Sequence, residues 1–193
     1  KVEEDSLFYS RSGGGLTLSG GEPMDQADFA VSLLKEARRR HLNTAMETCG
    51  FSRWQPLKSA CEHLDNLIYD IKTMNPKKHR VSTGHTNQVI LKNLARVREN
   101  FPDLPVFVKT PVIPGFNDRL EDIRAIAVNI STMTNTSYEV LPYHRMGTSK
   151  YEYLGLPYAM KRGKKLNNGV IGDIQMMLHA EFPKLVSRNG THP

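Results

Sequence analysis

The sequence predicts an α/β fold built around a parallel sheet. Five short strand-like runs end near residues 21, 48, 72, 113 and 142, and a helix-like stretch separates each run from the next. Regular alternation of strand and helix indicates parallel strands, because each crossover helix returns the chain to the same end of the sheet. This pattern alone leaves a barrel and an open doubly wound sheet as alternatives. In both folds, ligands bind at the carboxyl ends of the strands.

The first two strand–helix units end in small residues. Residues 16–18 predict a strand that runs into Ser-Gly-Gly-Glu-Pro at 19–23, and a helix with one apolar stripe follows. The second strand, Asn43–Thr48, stops at Cys49-Gly50, and Ser52 is placed to cap the next helix. The predicted apolar positions are Phe29, Ala30, Leu33, Leu34 and Ala37 in the first helix, and Trp54, Leu57, Cys61 and Leu64 in the second.

Three further strands are predicted at residues 66–72, 106–113 and 138–143. A loop and then a helix connect the first two, and a helix that starts at Asp118, with Glu121 three residues later, connects the last two. Residues from 161 onward indicate a loop followed by one amphipathic helix. We therefore divide the chain into a βα domain at 1–160 and a C-terminal tail at 161–193. The apolar positions of the three helices are Ile90, Leu94, Val97 and Phe101, then Ile123, Ile126, Ala127 and Ile130, then Ile174, Leu178 and Phe182.

The composition is that of a globular domain. Apolar residues make up 39% and charged residues 24% of the 193 residues, which predicts a core without disulfide support. No apolar run is long enough for a transmembrane helix, and no secretory signal is recognisable, so we expect no membrane association. The spacing of Cys49 and Cys61 is not that of a disulfide framework or a zinc site, which favours the cytoplasm.

The formal net charge of +6 is accompanied by basic runs at 35–40, 77–80 and 161–165. Such runs are either solvated helix faces and turns or a docking face for an acidic partner. No nucleic-acid-binding motif accompanies them, so we expect no nucleic-acid partner.

A glycine pair follows the first predicted strand. Gly20 and Gly21 leave backbone amides and carbonyls bare, so that a small ligand can contact them directly, and Glu22 adds a carboxylate. A tight turn between strand and helix is the alternative interpretation. The known phosphate loops do not fit, because no Gly-x-x-x-x-Gly-Lys-Ser/Thr is present and the other glycine cluster, at 13–15, precedes the strand.

Charged residues are grouped at the ends of the second and third predicted strands. Asp70 and Lys72 are two positions apart, so in a strand they share one face, and Glu47 lies at the corresponding end of the preceding strand. Such a group is either a structural ion pair or a site for a zwitterion, whose ammonium and carboxylate need opposite charges. His144 follows the last strand and is either a surface residue or a hydrogen-bond partner for a nucleoside.

Together these stretches resemble the radical S-adenosylmethionine enzymes that activate glycyl radical enzymes, the pyruvate formate-lyase activating enzyme family. The resemblance covers residues 8–23, the Glu-Thr-Cys-Gly at 47–50, the Tyr-Asp-Ile-Lys at 69–72, and residues 112–117 and 141–147, in family order and at family spacing. It implies a partial (β/α)6 barrel with S-adenosylmethionine bound across its open top.

The resemblance also implies a set of cofactor-binding residues. Gly20, Gly21 and Glu22 match the motif whose backbone holds the methionine amino group. The family's Asp-x-Lys pair near the methionine carboxylate corresponds to Asp70, Ile71 and Lys72, with Glu47 alongside. His144 matches a histidine near the nucleoside, and Lys109 stands where the family often has a basic residue on the fifth barrel strand. No residue of this chain is expected to act as a catalytic acid, base or nucleophile.

The sequence departs from the family at the iron–sulfur cluster. The family's Cys-x3-Cys-x2-Cys loop, which holds a 4Fe-4S cluster, is absent, and Cys49 and Cys61 do not replace it. The chain also begins without methionine, so we expect a fragment that lacks the first barrel strand and the cluster loop and is inactive alone. No metal ligand is predicted within it.

The function that the resemblance implies for the intact protein is reductive cleavage of S-adenosylmethionine to form a glycyl radical on a partner enzyme. The implied partners are a glycyl radical enzyme and an electron donor such as flavodoxin or ferredoxin. Two alternatives stay open. One is a cluster-free module that binds an adenosyl ligand or the partner without turnover, and the other is an unrelated aldolase-like enzyme with a Schiff base on Lys72.

Overall fold

A computed structural model describes residues 9, 11–143, 148–156 and 169–186. These residues form a parallel sheet of five strands, and the order of the strands across the sheet is their order along the chain. The strands are β1 (Gly15–Leu18), β2 (Asn43–Thr48), β3 (Asn66–Asp70), β4 (Val106–Val112) and β5 (Thr136–Pro142). The predicted α/β class and the parallel sheet are confirmed.

Helices connect the strands and follow the last one. A short 3-10 helix at Pro23–Gln26 leads into the first of them. The helices in the described part of the chain are α1 (Ala27–Arg39), α2 (Trp54–Cys61), α3 (Pro76–Thr83), α4 (Gln88–Asn100), α5 (Leu120–Ile130), α6 (Thr148–Tyr153), α7 (Val170–Glu181) and α8 (Pro183–Val186).

The strand order decides between the two sheet types that the sequence left open. When every crossover steps to the next strand in the same direction, right-handed connections place all the helices on one face of the sheet. A doubly wound sheet instead reverses direction part-way and carries helices on both faces. The described residues therefore form an open piece of a barrel, in which β1 and β5 are the two edges and do not pair with each other.

Burial alternates along the strands and separates the two faces of the sheet. In β4 every second side chain is buried and those between are half-buried, and β3 follows the same pattern. The buried face packs against the helices and forms one core with them. The largest fully buried side chains of this core are Tyr69, Leu34, Met46, Leu57, Leu67, Ile71, Leu94, Ile123, Ile126, Ile130, Ile174 and Leu178.

The first helix buries a narrower stripe than the sequence predicted. Ala30, Leu34 and Ala37 are buried, but Phe29 is 66% exposed and Leu33 is half-buried. The small residues allow α1 to lie close to the sheet, so the buried stripe runs through Ala30 and Ala37 and turns Phe29 outward. The expectation that Cys61 belongs to the core is confirmed, since it is 3% exposed.

The region between β3 and β4 contains a helix where we expected a loop. Helix α3 begins after Asn75, whose side chain accepts hydrogen bonds from the backbone N–H groups of Lys77 and Lys78, both at 3.0 Å. It ends at Gly84, which has the left-handed φ of 83° typical of a helix C-terminus. Only His79 of this helix is buried, so its sequence carries no apolar period by which it could be recognised.

The C-terminal tail packs on the same core as the βα units. The predicted amphipathic helix is present as α7, with Ile174 and Leu178 buried, and α8 adds Leu185 and Val186. The division of the chain at residue 160 remains a prediction. None of the helices in the described ranges is long and apolar enough to span a membrane.

Two of the three basic runs lie within described helices. In the run at 35–40, Arg39 and Arg40 contact Glu36 at 2.8 Å and 2.7 Å, which is the pairing of a solvated helix face. In the run at 77–80, Lys78 forms an ion pair with Asp122 at 2.8 Å. The run at 161–165 lies outside the described residues.

Gly50 is a glycine whose replacement should disturb the core. Its φ is 67°, and a methyl group built on it would overlap the Tyr69 hydroxyl, which donates to the carbonyl oxygen of Ile90 at 2.8 Å. We predict that Gly50→Ala lowers the free energy of unfolding by about 3–5 kcal/mol, from backbone strain plus overpacking. Gly84→Ala has the same left-handed backbone but open space around it, so it should cost about 1–2 kcal/mol. Urea denaturation of both variants measures the difference, and equal losses would contradict the steric explanation.

Candidate functional site

A cavity of about 220 Å³ opens where β1, β2 and β3 end. Six of the nine predicted site residues line it, together with three that sequence analysis did not single out. The lining residues are Ser19, Gly20, Gly21, Glu22, Glu47, Thr48, Cys49, Asp70 and Lys72. A second hollow of about 310 Å³ shares Ser19, Gly21 and Glu22 with it and extends along α1 to Phe29.

The other three predicted residues do not line this cavity. Ile71 is 1% exposed and belongs to the hydrophobic core. Lys109 lies on β4 directly opposite Asp70 in the strand register, on the half-buried face of the sheet. His144 lies outside the described residues.

Glu22 fixes the loop that carries the glycine pair. Its carboxylate accepts hydrogen bonds from the Met24 N–H at 3.1 Å, from the Cys49 N–H at 2.9 Å and from the Thr48 hydroxyl. The Thr48 hydroxyl in turn accepts from the Gly50 N–H at 2.9 Å. One carboxylate therefore closes the turn after β1 and joins it to the end of β2.

The two glycines of this loop present bare backbone to open space. A methyl group added to Gly20 or Gly21 would find no atom within 4 Å, and Gly20 has a φ of 132° that side-chain-bearing residues rarely adopt. The positive φ fits the tight-turn interpretation. The open space is what a ligand in contact with the backbone would require, so the geometry supports both interpretations at once.

Opposite charges meet on the other side of the cavity. The Lys72 ammonium lies 3.3 Å from Oδ2 of Asp70, and the two side chains are 30% and 27% exposed. Burial raises the pKa of Asp70, although Lys72 and the more distant Lys109 oppose this and Glu47 adds to it. Lys72 lies beyond the end of β3, because the strand stops at Asp70 and not at the predicted residue 72. The two side chains nevertheless lie on one side of the chain, as their spacing predicts, and form an ion pair.

The charge of the lining favours a cationic ligand. Three carboxylates (Glu22, Glu47 and Asp70) and one ammonium (Lys72) give a formal excess of two negative charges when all are ionised. Ser19 donates to Oε2 of Glu47 at 3.0 Å, and both residues line the cavity. Glu139 on β5 is in register with Lys109 and extends this charged row across the sheet, a feature that sequence analysis missed.

Cys49 lines the cavity as a thiol. Burial and the neighbouring Glu22 carboxylate raise its pKa to about 11. Burial raises the pKa of Cys61, which lies on α2 within the core, to about 12. Both cysteines are unpaired, and no group of three or more His, Cys, Asp or Glu residues within the described ranges is arranged to hold a metal ion.

Residues 5–127 match the family described as the Radical SAM superfamily. The chain belongs to this superfamily. Its members bind S-adenosylmethionine and a 4Fe-4S cluster, so these are the cofactors that membership implies.

Curated relatives with high identity are radical SAM activating enzymes. The chain is 51% identical over 178 residues to the (2S)-3-sulfopropanediol sulfolyase activating enzyme of Bilophila wadsworthia, with 92% of the chain and 59% of the relative covered. It is 55% identical over 153 residues to the isethionate sulfite-lyase activating enzyme of Oleidesulfovibrio alaskensis, with 79% and 49% covered. The chain thus spans about half to three-fifths of the length of these relatives.

A solved structure shows the same fold. The chain superposes on a domain of pyruvate-formate lyase-activating enzyme from Bacteroides vulgatus with a TM-score of 0.70 and 24% identity, covering 86% of this chain and 94% of that one. This confirms the predicted partial barrel of the radical SAM type.

The residues of the cavity fit one of the two implied cofactors. S-adenosylmethionine carries a carboxylate, an ammonium and a sulfonium, hence a net charge of +1, which complements a lining with excess negative charge and a single lysine. The cluster is not accommodated, because iron–sulfur sites are built from several thiolates. This chain has two cysteines, on different elements and both with raised pKa values.

The role of Glu22 can be tested by its effect on stability. Glu22→Ala removes the acceptor of three hydrogen bonds and leaves partly buried donors unpaired, so we predict a loss of about 2–4 kcal/mol in the free energy of unfolding. Glu47→Ala, which removes a single bond from Ser19, should cost less than about 1 kcal/mol. Urea denaturation of the two variants measures the contrast. Similar losses would show that Glu22 does not organise the loop.

The state of Cys49 can be tested by its reactivity. A pKa of about 11 leaves about one thiol in a thousand ionised at pH 8, so we predict slow alkylation by iodoacetamide. The rate should rise about tenfold for each pH unit between pH 7 and 9.5. A peptide of residues 45–53 serves as the reference, and mass spectrometry distinguishes Cys49 from Cys61. A rate that levels off below pH 9 would contradict the raised pKa.

Proposed function

We propose that this chain supplies the S-adenosylmethionine-binding part of an activating enzyme that generates a glycyl radical on a partner enzyme. The observation that carries the proposal is the cavity itself, where bare glycine backbone faces an Asp–Lys pair at the carboxyl end of the sheet. The names of the curated relatives supply the reaction class. When bound and reduced by one electron, S-adenosylmethionine supplies methionine and a 5′-deoxyadenosyl radical, which removes a hydrogen atom from glycine.

The chain's own residues bind and orient this cofactor. The backbone carbonyls of Gly20 and Gly21 accept hydrogen bonds from the methionine ammonium, and Glu22 fixes their loop. Lys72 meets the methionine carboxylate, while Asp70 keeps the Lys72 ammonium in place and, with Glu47, balances the positive charge of the ligand.

The size of the cavity assigns it to one half of the ligand. Whole-ligand pockets are about 300–1,000 Å³, so a cavity of about 220 Å³ suits the amino-acid half alone. The residues farther along the sheet edge, towards the end of β5, are then the candidates for contact with the nucleoside half. His144, two residues beyond that strand, is our candidate for a hydrogen bond to the nucleoside, and Lys109 is a candidate for contact from the half-buried face of the sheet.

We infer that the partner is a glycyl radical enzyme that cleaves a carbon–sulfonate bond. Activating enzymes named for sulfolyases and sulfite-lyases share 49–55% identity with the chain, whereas those for choline trimethylamine-lyase and pyruvate formate-lyase share 32–33%. A one-electron donor such as flavodoxin or ferredoxin is the second partner that this reaction needs. Two unpaired cysteines support a cytoplasmic location.

A second candidate is a module that binds the adenosyl ligand without turnover. It is favoured by the two cysteines, which do not provide a cluster site. Membership of the radical SAM superfamily disfavours the aldolase-like alternative with a Schiff base on Lys72.

A chimera tests the proposal. The matched 178-residue stretch of the Bilophila relative is replaced by this chain, and the protein is reconstituted anaerobically and reduced. We predict 5′-deoxyadenosine formation and a glycyl radical signal in electron paramagnetic resonance spectra of the sulfolyase partner. Lys72→Ala should weaken S-adenosylmethionine binding by about 1.5–3 kcal/mol, the range for a hydrogen bond to a charged group.

Lys77→Ala is the matched control, because it removes the same charge from an exposed position on α3. It should leave binding and cleavage unchanged. A folded chimera that binds S-adenosylmethionine but does not cleave it would favour the module. Failure to bind the cofactor, or equal effects of the two lysine variants, would overturn the proposed site.

A further inference from the structure

Three consecutive backbone carbonyls just after β3 are held by side chains. The last backbone bond of this strand end is from the Ile71 N–H to the Lys109 carbonyl oxygen, at 3.0 Å. For the carbonyls that follow, the hydrogen-bond donors are side chains and not the backbone of a neighbouring strand. Thr110 donates to the Ile71 carbonyl at 2.6 Å, Asn117 to the Lys72 carbonyl at 2.7 Å and Asn87 to the Thr73 carbonyl at 2.7 Å.

All three donor side chains are buried, and they come from different parts of the fold. Thr110 and Asn117 are 0% exposed and Asn87 is 2% exposed. Thr110 belongs to β4, Asn117 to the loop between β4 and α5, and Asn87 immediately precedes α4. Buried carbonyls require partners, and three separate elements supply them to one short segment.

Both the nitrogen and the oxygen of the Asn117 side-chain amide form hydrogen bonds. Its nitrogen donates to the carbonyls of Lys72 and, at 3.0 Å, Pro111, while its oxygen accepts from the Ile113 N–H at 2.6 Å. Aspartate could not donate to the two carbonyls, and an apolar side chain would leave all three groups unpaired. The residue type is therefore required by its surroundings.

The backbone segment that is bonded to Asn117 contains Lys72, the lysine that lines the cavity. Lys72 has a flexible four-carbon side chain, so the position of its ammonium depends on where its backbone is fixed. Beyond the bond from the Ile71 N–H to Lys109, the Lys72 backbone is fixed by its carbonyl bond to Asn117 and by the side-chain bonds to the carbonyls of Ile71 and Thr73. The ammonium then lies 3.3 Å from Asp70, on the wall of the cavity.

We propose that Asn117 is a positioning residue, which fixes the Lys72 backbone so that the ammonium is presented to the ligand carboxylate. The identity of the ligand rests on the proposed function, whereas the geometry of Lys72 and Asp70 does not. The position of the ammonium and the binding of the ligand can therefore be tested separately.

The first arm of the test requires no ligand. The carboxyl group of Asp70, which Lys72, Lys109 and Glu47 all influence, is titrated by carbon-13 NMR in the full chain. Asn117→Ala should raise the pKa of Asp70, because the ammonium moves away from it, and should have no such effect when Lys72 is already alanine. Asn93→Ala is the matched control, since Asn93 is a buried amide that donates to the carbonyls of Gly50 and Ser52 instead. It should leave the Asp70 titration unchanged.

The second arm measures S-adenosylmethionine binding to the labelled chain by chemical-shift titration. Lys72→Ala should weaken binding by about 10- to 150-fold and Asn117→Ala by about tenfold, and the double variant should be no weaker than Lys72→Ala alone. Additive effects of the two substitutions, or an unchanged Asp70 titration in Asn117→Ala, would overturn the positioning role. If the unaltered chain shows no binding, the proposed function fails while the first arm still decides the role of Asn117.

If Asn117→Ala does not fold, two milder substitutions at Thr110 test the same proposal. Thr110→Val removes the donor to the Ile71 carbonyl at nearly constant volume, although the Tyr138 hydroxyl, 3.0 Å from Thr110 Oγ1, loses its acceptor as well. It should change the Asp70 titration in the same direction as Asn117→Ala. Thr110→Ser keeps the hydroxyl and should restore the original behaviour. Equal titrations in the valine and serine variants would count against the proposal.

Discussion

The carboxylate of Glu22 is the interaction on which the candidate site depends. It bonds to donors of two segments, Met24 after β1 and Thr48 and Cys49 at the end of β2, and so fixes the glycine loop against the second strand. Parallel strands lose their ladder partners where they end, and the polar backbone groups there must be satisfied by other means. At this end of the sheet an acidic side chain supplies the acceptors for free N–H groups.

At the end of β3, the backbone groups that need hydrogen-bond partners are acceptors and not donors. After β3 the unpaired groups are carbonyls, and amide and hydroxyl side chains donate to them. Both solutions fix backbone that no longer belongs to the sheet. The cavity lies between them, so its walls are the two stretches of chain whose positions are set by side chains and not by strand pairing.

Much of this arrangement could be read from the sequence, and the failures have definite causes. Alternation of strands and helices gave the parallel sheet, and glycines and grouped charges at strand ends gave six of the cavity residues. Helix α3 was missed because its stability comes from the Asn75 cap and Gly84, with only His79 buried. The end of β3 was placed two residues late, because the carbonyls beyond Asp70 accept from the side chains of Thr110 and Asn117, which are remote in sequence, and not from strand backbone. Thr48 and Cys49 were missed because their contacts to Glu22 depend on the tertiary fold.

The charges of the cavity argue for binding and not for acid–base chemistry. A general acid or base needs a pKa near the working pH and a proton to exchange with substrate. Here the Asp70 carboxylate is held against the Lys72 ammonium, and Glu22 is occupied by three donors, so neither is free to shuttle a proton. Burial raises the pKa of Asp70, which means that the surroundings of this carboxyl group disfavour its charge. A ligand that brings its own positive charge removes part of this penalty, whereas a neutral or anionic ligand does not. We therefore propose that the three carboxylates favour a ligand with a net positive charge, and that Lys72 orients the carboxylate of that ligand.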